Sequence, residues 1–273
     1  MTLKSLFIQE ELRPYLFDGR YGIEREAQRA RLDGSFAGTD HPEALGNRSF
    51  HPYIQTDFAE NQLELITPVA ESSEELFRYL AAIHDVAYRS MAPEEMLWPL
   101  SMPPALPEKE EDIVIAKLDR FEDVLYRRFL ARTYGRRKQM VSGIHFNFEF
   151  GDDFLRKLFT KSSETDYRRF KTEFYLKVTR NYLHYRWFLT YFFGATPQTE
   201  ANYFMAGSGP QEPVRSIRNS RYGYTNHTDV NVSYASLETY LADIAELVET
   251  GKLSEEKEFY APVRLRGGQR LPT

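Results

Sequence analysis

The segment GIHFNFEF, residues 143–150, alternates apolar and polar side chains without a break: Ile144, Phe146, Phe148 and Phe150 against His145, Asn147 and Glu149. A period of two cannot sort the faces of a helix; it specifies a strand with one packed face and one open face. Such a strand needs neighbours, and two more segments qualify. One is LELIT. The other is YGIEREAQR, residues 21–29, where Glu24, Glu26 and Gln28 share one face and Ile23, Arg25 and Ala27 the other. Carboxylates two apart on one strand face lie roughly 6–7 Å from each other. They repel unless water or a cation stands between them.

Four helices accompany the strands. SSEELFRYLAAIHDVAYRSM places Ser72 and Glu75 in capping-box spacing, with Leu76, Leu80, Ile83 and Ala87 on one stripe. RFEDVLYRRFLARTYG carries Val124, Leu125 and Leu130 and stops at Gly135. DYRRFKTEFYLKVTRNYLHYRWFLTYFFG stops at Gly194, and SLETYLADIAELVETG at Gly251. WPLSMPP is a proline-locked connection and MAGSGPQEP a surface loop. Strands and helices do not alternate as βαβ units, so the pattern predicts an antiparallel α+β fold.

The polar strand positions collect Glu24, Glu26, Glu64, His145, Asn147 and Glu149, and HPYIQTDFAENQLELITP adds Asp57 seven residues before Glu64. Odd spacing puts those two on opposite faces of one straight strand; a turn or bulge around FAEN brings them together. A plain solvated face is the commoner meaning of such alternation. Here, however, the positions are almost all oxygen ligands with one imidazole and no lysine, a set that suits Mg²⁺ or Mn²⁺. Carboxylates that hold such ions often do so against phosphates. No GxxxxGK[ST] or GxGxxG is present, which leaves a P-loop or Rossmann site unsupported. VRSIRNSRYGYTNH spaces Arg215, Arg218 and Arg221 three apart, either as a solvated helix face or as a loop able to grip a carboxylate or phosphate bidentately.

Composition removes other classes. Net charge is −5, with no basic face, which argues against a nucleic-acid partner. With no cysteine there is no disulfide, thiolate metal site or cysteine nucleophile. The N-terminal sequence has no signal-peptide pattern, and the most apolar stretch, YLHYRWFLTYFFG, is interrupted by His184 and Arg186 and too short to span a bilayer. No membrane association and a cytoplasmic location are expected.

GIERE, HPYIQTDFAENQLELITP, WPLSMPP, SGIHFNF, RNYLHYRWFLTYFFGATP, SIRNSRYGYTNH and EFYAPVRLRG, in that order, resemble the glutamate–cysteine ligase family, most nearly the ligase half of bifunctional bacterial glutathione-synthesising proteins. The resemblance implies a glutamine-synthetase-like α+β fold: a curved antiparallel sheet with ATP and divalent metal, Mg²⁺ or Mn²⁺, on its concave face and helices outside. It implies ATP-dependent joining of the L-glutamate γ-carboxylate to the amine of L-cysteine through an acyl phosphate, the first step of glutathione biosynthesis. By the family's pattern Glu26, Asp57 and Glu64 hold one metal, and Glu24 and His145 hold others on the phosphate side. Arg218 is the catalytic contact to the glutamate carboxylate or transferring phosphoryl group. Tyr126, Leu130, Val141 and Tyr224 line the cysteine pocket, and Asn147 faces nucleotide or metal-bound water.

After RLRG the family continues into a strand carrying a Glu and an Arg, whereas this sequence ends RLRGGQRLPT. Residues 1–273 are therefore expected to be the N-terminal part of one catalytic domain, as a fragment, a truncated gene product or one piece of a split protein whose remainder is a separate chain. Two other readings compete. One is another ATP-dependent carboxylate–amine ligase of the same fold, distinguished by its amine acceptor. The other is an inactive nucleotide- or partner-binding fragment, marked by an exposed apolar edge.

Overall fold

The computed structural model describes residues 10–204, 207–223 and 232–250. Its strands are β1 (Gly19–Arg31), β2 (Ile54–Thr56), β3 (Gln62–Ile66), β4 (Glu95–Leu97) and β5 (Ile144–Phe150). Its α-helices are α1 (Ser73–Ser90), α2 (Phe121–Tyr134), α3 (Arg136–Gln139), α4 (Asp152–Phe159), α5 (Tyr167–Phe193) and α6 (Leu237–Thr250). The described residues of 1–162 and 195–223 form one compact unit, and those of 163–194 and 224–273 a second.

In the first unit β1 is the spine. β3 lies along one side, with β2 beyond it, and β5 and β4 occupy successive stretches of the other side. Every one of these strand pairs is antiparallel, as the sequence pattern predicts. β2 and β4 are three-residue strands too short to show alternation, so only their pairing to β3 and β1 identifies them.

The odd-numbered positions of β1 and β3 point into the core. Ala27, Ile54, Leu63, Leu65 and Leu97 from the sheet pack against Ile83, Ala87 and Met91 of α1 and its C-cap. Fully burying a leucine such as Leu63 or Leu65 contributes roughly 1.5–3 kcal/mol. Helix α1 begins at the predicted cap: the Ser72 hydroxyl accepts from the Glu75 N–H at 3.2 Å, while Glu75 Oε2 accepts from the Glu71 N–H at 2.9 Å. With α1 covering one face, the even-numbered positions are committed to the other.

β5 departs from expectation. Its apolar face is not packed: Ile144 is 67% exposed and Phe146 60%, with Phe148 and Phe150 half-buried. The polar face faces the site and the sheet register is satisfied; of the rings, Phe150 stacks on Phe154 of α4 at 5.3 Å and Phe148 meets Tyr21 at 5.1 Å, while Ile144 and Phe146 stay open. Helix α4 also escaped the sequence reading, being eight residues long; it buries Phe154, Leu155 and Leu158.

In the second unit α5 starts at Asp166, whose side chain caps the Arg168 and Arg169 N–H groups, and it ends at Gly194 as predicted. Its last turns leave Trp187, Tyr191 and Phe193 more than half exposed. Among the described residues no helix is long and apolar enough to cross a membrane.

Candidate metal and anion site

The face of the sheet turned away from α1 gathers the polar residues by register alone. Glu26 stands opposite Glu64 and Gln28 opposite Gln62 across β1 and β3, while Glu24 stands opposite His145 and Gly22 opposite Asn147 across β1 and β5. The odd spacing of Asp57 and Glu64 is resolved by a hairpin. The Gln62 N–H donates to the Ala59 carbonyl at 2.9 Å, closing the turn, and the Asp57 N–H donates to the Gln62 carbonyl at 3.0 Å. Asp57 is thereby opposite Gln62, on the same face as Glu64. Like charges directly opposite each other across strands are destabilising, so Glu26 and Glu64 oppose folding where they stand.

Ligand atoms of Glu24, Glu64 and His145 lie within 4.8 Å of one another. His145 Nδ1 is 3.1 Å from Glu24 Oε2 and its Nε2 3.5 Å from Glu26 Oε1. The Asn147 amide donates to the other Glu24 oxygen at 2.8 Å. Burial pushes Glu64 up to about 7, reinforced by the charges of Asp57, Glu26 and Glu24. Burial likewise pushes Asp57 up to about 6, reinforced by Glu26 and partly offset by Arg127, His145 and Arg218. These carboxyls are short of positive charge. Two carboxylates and an imidazole so close, beside carboxyls that resist ionising, form a donor set fit for a hard divalent cation.

Of the three arginines in VRSIRNSRYGYTNH, Arg218 reaches the site. Its Nη1 donates to the Val141 carbonyl at 3.3 Å and lies 3.7 Å from Glu26 Oε2. Arg221 instead pairs with Glu212 on the surface and lies over the Tyr222 ring. Tyr126 and Leu130 are one turn apart on α2, Tyr126 half-exposed and Leu130 buried; Val141 is buried beside the Arg218 contact. Tyr224, with the stretch from 224 to 231, and EFYAPVRLRG lie outside the described residues.

Three residues absent from the sequence reading also bear on this face. Arg127 of α2 donates to the carbonyls of Asp57 and Thr56 and so fixes the end of β2 from which Asp57 emerges. Gly143 donates its N–H to Glu26 Oε2 at 2.7 Å. Tyr203 is buried with an unpartnered hydroxyl; burial pushes its phenol up to about 12, and the charge of Arg218 opposes the shift. Arg127 and Gly143 act through contacts between distant segments, for which a single sequence carries no signal.

An antiparallel sheet with acids and an imidazole gathered on one face, and an arginine beside them, offers the donors that a divalent cation and an anion would need. The glutamate–cysteine ligase family model matches residues 4–254, and the chain belongs to that family. It is 60% identical over 273 residues to the glutathione biosynthesis bifunctional protein GshAB of Enterococcus faecalis, covering 99% of this chain and 36% of that protein. The crystal structure of a bifunctional glutathione synthetase from Pasteurella multocida matches with a TM-score of 0.83 at 46% identity, over 93% of this chain and 33% of that one. A glutamate–cysteine ligase from Francisella tularensis, crystallised with AMP, matches with a TM-score of 0.77 at 26% identity, over 93% of this chain and 52% of that one. The chain spans about a third of the length of the curated relatives it matches.

Proposed function

We propose that this chain carries the metal- and glutamate-handling face of an ATP-dependent ligase that joins the γ-carboxylate of L-glutamate to the amine of L-cysteine. The observation that carries the reading is the meeting of Glu24, Glu64 and His145 ligand atoms within 4.8 Å, with Arg218 3.7 Å from the adjoining Glu26. Family membership and likeness to a glutathione biosynthesis protein and a glutamate–cysteine ligase support it.

In this reading the γ-carboxylate oxygen attacks the terminal phosphorus of ATP and ADP leaves. The cysteine amine then attacks the acyl carbon, loses a proton and displaces phosphate. Glu24, Glu26, Asp57, Glu64 and His145 are the residues that would hold Mg²⁺ or Mn²⁺, which would offset the charge of two anions brought together. ATP lies over the same face, its phosphates toward the acids. Asn147 orients Glu24 and faces the nucleotide side. Arg218 supplies a forked donor to the glutamate carboxylate or to the transferring phosphoryl group. Tyr126, Leu130 and Val141 would stand at the acceptor side chain, apolar surroundings that would favour cysteine over serine, whose buried hydroxyl would lack a partner.

Calorimetric titration of the purified chain with Mn²⁺ and then with Mg²⁺–ATP tests the reading, with Glu64→Gln alongside. Divalent-ion binding that weakens in Glu64→Gln while the fold is retained is expected. Absence of any divalent-ion binding, or equal affinity in the variant, would overturn it.

A further inference from the structure

Gly143 stands where sheet, carboxylate and guanidinium meet. It continues the β1–β5 register opposite Glu26, its carbonyl accepting the Glu26 N–H at 3.0 Å. Its own N–H donates to Glu26 Oε2 at 2.7 Å. On its open side lies Arg218. A Cβ added at position 143 would fall 2.6 Å from Arg218 Nη2, 2.8 Å from Cζ and 3.2 Å from Nη1. The first two separations are shorter than real side chains show, so the guanidinium rests against a bare backbone carbon. From there its Nη1 reaches the Val141 carbonyl at 3.3 Å.

The usual reason for a glycine does not apply. The described glycines with positive φ are Gly34, Gly46, Gly135 and Gly207, and Gly143 is not among them. An alanine could adopt the backbone at this position; what it would strike is the far end of a flexible side chain. Glycine here serves Arg218, not the turn.

We infer that Gly143 is a positioning residue: the missing side chain seats the Arg218 guanidinium beside Glu26, so one backbone position sets the spacing between the acid cluster and the cation that meets the anionic substrate. The inference rests on the proposed role of Arg218 as the anion contact. It divides the duties of the position. The backbone N–H, which orients Glu26 for metal, survives substitution; the space that seats Arg218 does not.

The test is Gly143→Ala in the full chain, compared with Arg218→Met and the double variant. Mn²⁺ is titrated first, and L-glutamate and inorganic phosphate are then titrated into the Mn²⁺-saturated protein. Gly143→Ala is expected to keep its melting temperature and Mn²⁺ affinity but to lose anion affinity by about tenfold or more, the scale of one hydrogen bond to a charged group. In the Arg218→Met background it should cause no further loss, because its effect passes through the arginine. Unchanged anion affinity in Gly143→Ala, Mn²⁺ affinity falling as far as anion affinity, or an equal loss in the Arg218→Met background would each overturn the inference. Should Gly143→Ala not fold, Arg218→Lys takes its place: it keeps the charge but has no planar fork to lie on Gly143, so wild-type anion affinity in that variant would sink the seat. The Arg218 Nε–Hε resonance, assigned by its loss in Arg218→Met, separates this inference from the proposed function. If the wild type binds Mn²⁺ or anions poorly, the functional reading fails alone, while a resonance that moves in Gly143→Ala still supports the seat and one that stays put overturns it.

Discussion

Acids gather against the two halves of β1 under opposite terms. At its C-terminal end Arg29 and Glu95 form an ion pair at 2.9 Å with both side chains almost wholly buried. Arg29 also donates to the carbonyls of Thr39, Asp40 and Glu60. Burial alone would push Glu60 up, but bonds from Arg48 and from the His41 and Lys117 N–H groups outweigh it and hold its carboxyl below its ordinary range. Three to five residues earlier on the same strand, Glu24 and Glu26 face Glu64 and Asp57 with too few cations among them, and Glu64 and Asp57 are pushed up to about 7 and about 6. Compensated acids and Arg29 hold the segment of residues 39–48 to the sheet. The uncompensated ones cost the fold stability unless a cation arrives, the pattern expected of residues kept for binding.

The largest effect should come from breaking the compensated end. Glu95→Ala leaves the Arg29 guanidinium buried without its carboxylate and is expected to cost about 3–5 kcal/mol in urea unfolding. A loss below about 1 kcal/mol would erase the contrast. At the other end, Glu64→Gln should lower Mn²⁺ affinity by roughly 10–100-fold, the scale of a lost interaction with a charged group, while the metal-free melting temperature stays level or rises. A fall in that temperature comparable to Glu95→Ala would mean that the acid face, too, is structural.

Dependence on pH sharpens the same comparison at smaller scale. The raised carboxyls Asp57 and Glu64 hold protons in the folded chain that the unfolded chain has already released at the ordinary values of 3.8 and 4.5. Their neutral forms favour folding at low pH, and that contribution is lost as pH rises through about 6 and about 7. The melting temperature of the metal-free chain should therefore fall between pH 5 and 8 relative to Glu64→Gln, and Mg²⁺ should restore more of it at pH 8 than at pH 5. Equal Mg²⁺ stabilisation at both values would contradict the raised pair. The smallest effect is expected at Arg221. Its pairing with Glu212 is solvent-exposed, so Arg221→Ala should shift stability by less than about 0.5 kcal/mol and leave Mn²⁺-dependent anion binding as in the wild type, unlike any change at Arg218.

What the sequence determined on its own is local and periodic. Alternation in YGIEREAQR and GIHFNFEF placed Glu24, Glu26, His145 and Asn147 on common strand faces, because period two and pleat geometry leave no other arrangement. The Ser72 cap and the stripe through Leu76, Ile83 and Ala87 located α1 for the same kind of reason. The chemical types at those positions already suggested a divalent cation. Tertiary structure decided which residues meet across the sheet. Glu64 faces Glu26 through the β1–β3 register, and Asp57 joins them only because the chain turns between residues 57 and 62. Arg218 reaches Glu26 across more than 190 intervening residues, Arg127 clamps Asp57 from a helix, and Gly143 makes room for a guanidinium 75 positions further on. Periodicity encodes which way a side chain points relative to its own strand. It says nothing about the distant segment that arrives opposite, because pairing and packing are chosen by the burial of the whole core and not by any one stretch of chain.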